Sequence, residues 1–501
     1  MIGENLRLIL GIKLKQFRQK KGFSLKDLAE RTGLSISFLS EIEKGKKYPK
    51  PEKIMQLAQA LEISFDELVS LKVDEELDTL KSVLDSPFLK EFPFELFGIA
   101  PRDLMDLMTV APQKAGAFIR TFLEISQAYD MRVEHFILAA LRSYQKLHQN
   151  YFDELEAAAQ EFVKAHKWPL QKIIEIEKLR SVLIEEYDFE LQETCFENYD
   201  ELRGFRSVRI PGKKQTLVIN NNLHPIQKAF LLSREIGFCY LNLKVRPTTS
   251  TWIKVESFEQ VLNNFKASYF AGALLINRKL LQQDLGQFFK RPSWDGAAFL
   301  KMMKAYDATP EMFLYRLSQI VPRYFNLRDI YYLRFSNVAG SDVYRLTKEL
   351  NMSQVRVPHG IGLHEHYCRR WLSISFLKEI AHKQRAGKPQ KILIAAQKSK
   401  FIESEAAFFT IALARPLALT EGANSSISIG FLMNEEFKRK VKFWKDPQIA
   451  TVEVNETCER CGLSEVECPE RVAEPEIFRQ EQSLNKREQV LEKFIQEMRK
   501  K

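Results

Sequence analysis

The chain has 501 residues, of which 45% are hydrophobic and 28% charged, and its formal net charge is +10 at pH 7. At about 100 to 200 residues per domain, this length predicts about three globular domains. No run of about 18 apolar residues is present and the N-terminus lacks the features of a secretion signal, so no membrane span is predicted and the expected location is the cytoplasm. Six cysteines are too few for a disulfide scaffold, and the positive charge favours an acidic partner, nucleic acid first.

Residues 1–71 are predicted to form five short helices. Apolar residues recur at helical spacing up to Gly22, which ends the first helix. Ser24 is expected to cap the second helix and Ser35 the third, with Gly33 in the tight turn between them. Two further helices are predicted in PEKIMQLAQAL and SFDELVSL. Two short helices joined by a glycine-containing turn are typical of a helix-turn-helix domain.

The stretch LKDLAERTGLSISFLSEIEKGKKYPKPEKIMQLAQAL resembles the Xre-type (Cro/repressor) DNA-binding domain along its full length. The resemblance implies that the third helix enters the major groove of double-stranded operator DNA and that the lysines after it contact phosphates. Such domains usually read palindromic sites as dimers, so a homodimer is expected. The alternative is a small helical interaction module with a basic surface. The expected DNA contacts are Ser35, Ile36, Ser37, Ser40, Glu41, Lys44, Lys46, Lys47 and Lys50.

Residues 72–150 are predicted to be an acidic linker followed by helices. Beyond them, a β-hairpin around a Pro-Gly turn precedes a buried helix that contains LLSREIGFCYLN. The residue spacing in that helix resembles the zinc-peptidase motif HExxH, in which two histidines bind zinc and the glutamate lies beside the bound water. Glu235 is present, but Arg234 and Phe238 occupy the histidine positions.

The hairpin and helix together resemble the ImmA/IrrE metallopeptidase family, and NNFKASYFAGALLINRKLL resembles its second active-site helix. The acidic ligand expected there is missing, because asparagine, phenylalanine and lysine fill residues 263–266. No usable group stands at any of the three expected zinc-ligand positions. Residues 151–345 are therefore predicted to be a degenerate peptidase-like domain without catalytic residues, not an enzyme. Glu235 is expected on the helix surface or in a salt bridge, and Cys239 as a buried apolar side chain.

Residues 346–475 are predicted to form an α+β domain with an antiparallel sheet and a concave sensor pocket. A helix is predicted in WLSISFLKEIAHKQR, and strands in KPQKILIAAQ, EAAFFTIALARPL and SSISIGFLM. Cys458, Cys461 and Cys468 form a CxxC pair followed by a third thiol, a grouping that suits a structural zinc ion or an iron-sulfur cluster. The alternative is a set of free thiols. The nearby histidines are reserve ligands: His359, His364 and His366.

The order of these domains along the chain resembles that of the short-chain fatty acyl transcriptional regulator family, and the resemblance spans nearly the full chain. The motifs are YYLRFSNVAGSDVYRL, HGIGLHEHYCRRWL and CERCGLSEVECPERVAEP, the last with an insertion between Cys461 and Cys468. The resemblance implies a multidomain fold, mainly α with α+β parts: an all-α helix-turn-helix domain, a central ImmA/IrrE-like α+β domain and a C-terminal α+β sensor-like domain. It implies a transcriptional regulator that responds to a short-chain acyl metabolite such as a coenzyme A thioester. It also places Cys368 as a fourth metal ligand.

Two other functions stay open: a regulated metallopeptidase of the ImmA/IrrE type that cleaves a partner repressor, and an antitoxin-like binding module. The tail, residues 476–501, is predicted to be a charged helix with apolar residues one heptad apart. We expect this helix to pack on its own domain rather than to form a coiled coil.

Overall fold

The computed structural model describes residues 2–69, 91–99, 121, 124–125, 132–194, 196, 199–212, 214–250, 255–359, 365–387, 392–402, 404 and 406–500. Most of residues 72–131, which belong to the predicted linker and the helices after it, and His364 lie outside this part of the chain. The described residues fall into two compact units. The smaller unit is Met1–Tyr144 with Glu256–Phe258, and the larger unit is Gln145–Val255 with Glu259–Lys501.

The smaller unit begins with the five predicted helices, here called the N-terminal bundle. They are α1 (Ile2–Lys20), α2 (Leu25–Thr32), α3 (Ile36–Glu43), α4 (Pro51–Leu61) and α5 (Phe65–Val69). Their buried faces share one apolar core that contains Leu14, Leu28, Leu39 and Leu57. The bundle is thus held together by leucines that recur at helical spacing on each element.

Local capping explains why α2 and α3 begin where they do. Ser24 and Asp27 form a reciprocal capping box, with N–H to oxygen distances of 3.1 and 2.7 Å. The Ser35 hydroxyl accepts from the Phe38 amide at 3.2 Å. Gly33 lies between the two helices with φ of 68°, in the left-handed region that glycine tolerates best. The predicted caps and turn glycine are confirmed.

The smaller unit also contains a short 3-10 helix, Phe94–Phe97, and the start of α6 (Val133–Leu147). The larger unit continues with α7 (Asp153–Ala165) and α8 (Ile176–Glu185), then β1 (Phe189–Thr194), β2 (Ser207–Ile210) and β3 (Gln215–Asn220). The predicted hairpin is present, because β2 pairs antiparallel with β3. The sequence patterns did not indicate that β1 lies parallel to β3 on its other side.

Five helices follow the small sheet: α9 (Pro225–Tyr240), α10 (Phe258–Leu275), α11 (Arg278–Phe289), α12 (Gly296–Lys304) and α13 (Pro310–Phe325). The helix that carries the HExxH-like segment is α9, and the predicted second active-site helix is α10. A buried ion pair links α7 to α13. Glu156 and Arg316 are about 2% and 1% exposed, and the Arg316 Nη2 atom donates to Glu156 Oε2 at 3.0 Å.

The last third of the chain forms a six-stranded sheet in the order β5-β4-β8-β7-β6-β9. Its strands are β4 (Ile330–Val338), β5 (Arg345–Asn351), β6 (Leu393–Phe401), β7 (Ala407–Pro416), β8 (Ala423–Leu432) and β9 (Thr451–Val454). The pairing is antiparallel except between β6 and β9. Helix α14 (Leu372–Arg385) packs on this sheet, and α15 (Glu435–Lys440) follows β8. Because β4 and β5 are one hairpin, the predicted boundary between residues 345 and 346 falls at the first residue of β5.

The charged tail forms α16 (Glu476–Lys500), as predicted. The expectation that it packs on its own domain is wrong for most of its length, because its residues from 479 to 499 are exposed. The apolar side chains Leu484, Leu491 and Met498 are 61%, 56% and 53% exposed. No helix in the described part of the chain is long and apolar enough to cross a membrane.

Candidate functional site

Helix α3 presents the predicted DNA-reading residues at its N-terminal end. Ile36 is 49% exposed, and Ser35 and Ser37 are also exposed, whereas Ser40 and Glu41 are half-buried. The Ser35 hydroxyl caps the helix, so only its second lone pair and its proton stay available to a partner. The opposite face of α3 buries Leu39 and Ile42 in the bundle core. The helix is therefore fixed on one side and open on the other.

Four lysines follow α3 in a short exposed segment. Lys44, Lys46, Lys47 and Lys50 are all exposed. The Lys47 ammonium lies 2.7 Å from the Glu41 carboxylate, and this contact lowers the pKa of Glu41. Lysine side chains of this kind suit phosphate contacts, because each carries a mobile point charge on a long stem.

Contacts between α1 and α3 fix the orientation of α3. Arg18 on α1 donates from Nε and Nη2 to the two carboxylate oxygens of Glu43 at 2.6 and 2.9 Å. The same guanidinium donates from Nη1 to the Phe23 carbonyl at 2.7 Å. Gly11 lets the two helices approach closely, since a Cβ there would lie 2.4 Å from the Ile42 carbonyl oxygen. A bidentate arginine pair and a glycine contact together define one angle between α1 and α3.

In the larger unit, the HExxH-like segment of α9 is an arginine–glutamate cluster. Glu235 is 4% exposed, and its two carboxylate oxygens each lie 3.4 Å from an arginine nitrogen, one of Arg234 and one of Arg246. The predicted salt-bridging role of Glu235 agrees with this geometry, whereas a surface position does not. Cys239 is half-buried and its Sγ lies 4.0 Å from Arg246 Nη1, so it is less buried than expected.

Helix α10 places neutral amides where the resembling family has an acidic ligand. Asn263 is buried and donates to the Val245 carbonyl at 2.9 Å. Asn264 and Ser268 line a cavity beside α9. Neither an amide nor a hydroxyl supplies the negative charge that a catalytic zinc site draws from its acidic ligand.

This cavity, here called the arginine cavity, has a volume of about 250 Å³ and lies among α9, α10, α13 and the six-stranded sheet. Six cationic side chains line it: Arg206 before β2, Arg234 on α9, Arg316 on α13, Arg334 on β4, Lys348 on β5 and Arg415 on β7. Sequence reasoning missed this set. The one available signal was arginine or lysine inside otherwise apolar or strand-like segments such as YYLRF and IALARP.

The arginine cavity contains more positive than negative charge. Arg415 is paired with Glu311, with nitrogen to oxygen distances of 3.0–3.3 Å. Burial raises the pKa of Glu311, but Arg415 and Arg334 outweigh it, so the carboxyl pKa lies below its usual value. Burial, and then repulsion from Arg334, lowers the pKa of Arg206. The same two causes lower the pKa of Lys348, although the residue as a whole is exposed.

The four cysteines predicted as metal ligands, here called the cysteine cluster, are brought into one region. Cys368, Cys458, Cys461 and Cys468 are each 5% exposed or less. The Cys368 amide donates to the Glu456 carbonyl and the Cys458 amide to the His366 carbonyl, so their two segments lie side by side. Burial is the main cause that raises the pKa of Cys368 to about 12; backbone hydrogen bonds from Asn455 and Arg370 oppose the shift, and the thiols of Cys458 and Cys461 add to it.

The geometry of the cysteine cluster is incomplete for a metal. In the described part of the chain, no group of three or more histidine, cysteine, aspartate or glutamate side chains is arranged so that it could hold an ion. The reserve histidines have carboxylate partners: His366 Nδ1 lies 2.8 Å from Glu459, and His359 Nδ1 lies 3.4 Å from Glu456. The thiols fit a zinc or iron-sulfur group in kind, but they would have to rotate to bind one.

Comparisons with known proteins match two segments of the chain. Residues 14–68 match the Helix-turn-helix family, and residues 181–318 match the IrrE N-terminal-like domain family. The chain is 40% identical over 60 residues to the uncharacterized HTH-type transcriptional regulator YazB of Bacillus subtilis, a match that covers 12% of this chain and 87% of that protein. It is 39% identical over 67 residues to the HTH-type transcriptional regulator SutR of Escherichia coli, covering 13% of this chain and 38% of SutR.

A third relative matches the chain over a longer stretch. The chain is 30% identical over 135 residues to the propionyl-CoA carboxylase regulator of Cereibacter sphaeroides, which is 27% of each protein. A solved structure described as a Mycobacterium tuberculosis transcriptional regulator is 15% identical, covers 66% of this chain and 92% of that chain, and has a TM-score of 0.46. The chain thus spans well under half the length of SutR and of the Cereibacter sphaeroides regulator.

A capped helix pair with one open recognition face and a lysine segment beside it defines a DNA-binding helix-turn-helix protein. The chain belongs to the helix-turn-helix transcriptional regulator family, since its match covers most of YazB. Its middle carries an IrrE-like domain. The predicted combination of these two domains, and the predicted multidomain fold with α and α+β parts, are confirmed.

Proposed function

We propose that this chain is a one-component transcription regulator that binds a specific operator in the cytoplasm and changes its DNA affinity in response to a short-chain acyl metabolite. The observation that carries the DNA-binding part is the open face of α3, where Ile36 and Ser37 are exposed next to four exposed lysines. In this proposal Ile36, Ser37, Ser40 and Glu41 reach base edges in the major groove. The lysines from Lys44 to Lys50 contact the phosphate backbone.

The acyl-metabolite response is supported by the sequence resemblance and by one relative's name. That relative is called a propionyl-CoA carboxylase regulator, and its matched region is longer than the helix-turn-helix domain alone. A coenzyme A thioester of a short acyl chain is the effector proposed. Effector binding would favour one spacing of the two recognition helices in a homodimer, so DNA affinity would change by the difference in effector affinity between the two arrangements.

The first experiment isolates the operator and then screens the effector. Full-length protein is incubated with sheared genomic DNA from its host, the bound fragments are sequenced, and their binding is measured by fluorescence anisotropy. We expect a recurring palindromic site bound at least 1000-fold more tightly than an unrelated duplex, which is at the lower end for specific regulators. Acetyl- and propionyl-coenzyme A are then added. A protein that binds all duplexes equally, or whose operator affinity is unchanged by any acyl compound, would contradict the proposal.

A regulatory role without peptide hydrolysis agrees with the composition of α9 and α10. The positions that resemble zinc ligands hold Arg234, Phe238 and residues of the 263–266 segment, none of which coordinates zinc in a peptidase. Glu235 is engaged by two arginines rather than by a metal-bound water. Glu235→Gln is therefore expected to leave peptide hydrolysis at the background level of the unmodified protein. Zinc-dependent cleavage that this variant abolishes would favour the peptidase alternative.

The cysteine cluster is proposed to hold a structural zinc ion or an iron-sulfur cluster through Cys368, Cys458, Cys461 and Cys468. Such a group, when bound, would cross-link the segment before α14 to the segment after β9. We expect about one zinc, or the iron and the visible absorption of a cluster, per chain in anaerobically purified protein. Cys461→Ser should remove most of the metal, whereas Cys239→Ser should not. Metal-free protein with four titratable thiols in this cluster would contradict the prediction.

A further inference from the structure

We propose that the arginine cavity is a binding site for a compact phosphate-bearing anion, held by Arg206, Arg234, Arg334 and Lys348. Binding there stands on the structure of the larger unit alone. The role of the ligand as an effector, by contrast, rests on the proposed function. The resembling peptidases bind a metal cation in this region, whereas this chain would bind an anion there.

The first argument is the charge that the cavity leaves without a partner. Among the described residues, Arg206, Arg334 and Lys348 have no carboxylate within ion-pairing distance, and Glu311 is already bound by Arg415. Arg334 donates from Nε only to the Ser425 hydroxyl at 3.2 Å. Like charges gathered around one cavity repel one another, and a multiply charged anion would relieve that repulsion.

The second argument is a buried donor on α9. Arg234 is 6% exposed and lines the arginine cavity, and its Nε atom has no hydrogen-bond partner. Its Nη2 atom reaches only Glu235, at 3.4 Å, and Glu235 is shared with Arg246. An unsatisfied buried donor destabilises the folded protein, and an anionic acceptor would remove that penalty.

The third argument is the shape and the polar edge of the cavity. Its volume of about 250 Å³ suits a small anion or the phosphate end of a longer molecule. Ser250, Asn264 and Ser268 lie along its wall and offer hydroxyl and amide donors. The loss of the acidic residue expected on α10 matters here, because a carboxylate at residue 264 would repel a phosphate. Several guanidinium groups around one small volume match phosphate geometry better than they match a single carboxylate.

Lys348 gives the site a pH dependence that can be measured. Its amine lies 3.4 Å from the centre of the Tyr315 ring and 5.9 Å from that of Tyr332. The charged groups that face it are Arg334 on the neighbouring strand and the Glu311–Arg415 pair across the cavity. Because the pKa of this amine lies below the usual lysine value, a larger fraction of it is neutral at pH 8 than at pH 6. A bound anion would favour the charged form, so binding should take up a proton and tighten as the pH falls.

Isothermal titration calorimetry of full-length protein tests the site with inorganic pyrophosphate, at pH 6 and pH 8 and low salt. We expect one site per chain, at least threefold tighter at pH 6, with proton uptake seen as a dependence on buffer ionisation enthalpy. Arg206→Gln and Lys348→Gln should each weaken binding at least tenfold. Arg439→Gln is the matched control, because that arginine is exposed on α15. Circular dichroism establishes that each variant is folded, and Lys348→Gln, on an edge strand, serves if Arg206→Gln does not fold.

Further titrations distinguish the source of the phosphate. Acetyl phosphate and coenzyme A are compared with pyrophosphate, and propionate is the carboxylate control. If acetyl phosphate or coenzyme A binds more tightly than pyrophosphate, the result supports the proposal and identifies which kind of molecule carries the phosphate. Absence of pyrophosphate binding by folded protein, unchanged affinity in both cavity variants, or equal affinity for propionate would overturn it. Operator binding is measured on the same samples, so a protein that binds DNA but no anion contradicts only this inference, and the reverse contradicts only the DNA-binding function.

Discussion

Replacement of Arg316 by methionine is expected to lower the free energy of unfolding of the larger unit by about 3–5 kcal/mol. Arg316 is 1% exposed and binds Glu156, which is 2% exposed, so the variant would leave a buried carboxylate without its cation. Burial alone would lower the pKa of Arg316, but the charge of Glu156 and its hydrogen bonds raise it above the usual value. The guanidinium also donates to the Ile276 carbonyl and to Gln319, so three neighbours lose a donor together.

Tryptophan fluorescence during urea unfolding measures this effect in the right part of the chain, because all five tryptophans lie beyond residue 144. Arg323→Met is the matched control on the same helix. Arg323 is 55% exposed and its contact with Asp153 is 3.6 Å long, so its loss should cost less than about 1 kcal/mol. The double variant Glu156→Leu with Arg316→Met should recover much of the loss, since it leaves no unpaired charge. If the two single arginine variants lowered the free energy of unfolding equally, the buried ion pair would contribute no more to stability than the exposed one.

The N-terminal bundle could be predicted from the sequence because its signals are local. Ser24, Ser35 and Gly33 determine the helix ends through contacts only three or four residues away. The leucine spacing then leaves one apolar face per helix, which allows few arrangements. The contacts between α1 and α3 could not be predicted in the same way. Arg18 and Glu43 are 25 residues apart, and neither residue type indicates a partner.

The arginine cavity shows the opposite case. Its cations come from segments between residues 206 and 415, and each one in isolation resembles an ordinary surface residue within a strand or helix. Arg334, Lys348 and Arg415 come close to Arg234 only because β4, β5 and β7 fold into one sheet beside α9. The substitution of Arg234 for a histidine was visible in the sequence, where it indicated only the loss of a metal. Together with the neighbouring arginines, the positive charge of Arg234 indicates a site for an anion.

The second large expected effect is a loss of DNA affinity when the lysines after α3 are replaced. Replacing Lys46, Lys47 and Lys50 together with alanine should weaken binding to every duplex, specific or not, because these side chains are proposed to meet phosphates. Each lost phosphate contact should reduce the slope of log affinity against log salt concentration by about 0.9. The triple variant should therefore have a slope smaller by about 2.7. Its preference for the operator over an unrelated sequence should change little.

Ser37→Ala provides the contrasting measurement. Ser37 is exposed on the open face of α3 and carries no charge, so the salt slope should stay the same. Preference for the operator should fall by about 0.5–1.5 kcal/mol if the hydroxyl makes one hydrogen bond to a base edge. Lys486→Ala with Lys493→Ala, both on exposed α16, controls for the loss of positive charge elsewhere in the chain. If that control reduced the salt slope as much as the triple variant, DNA would be bound by overall charge, and the position of α3 beside the lysines would not explain binding.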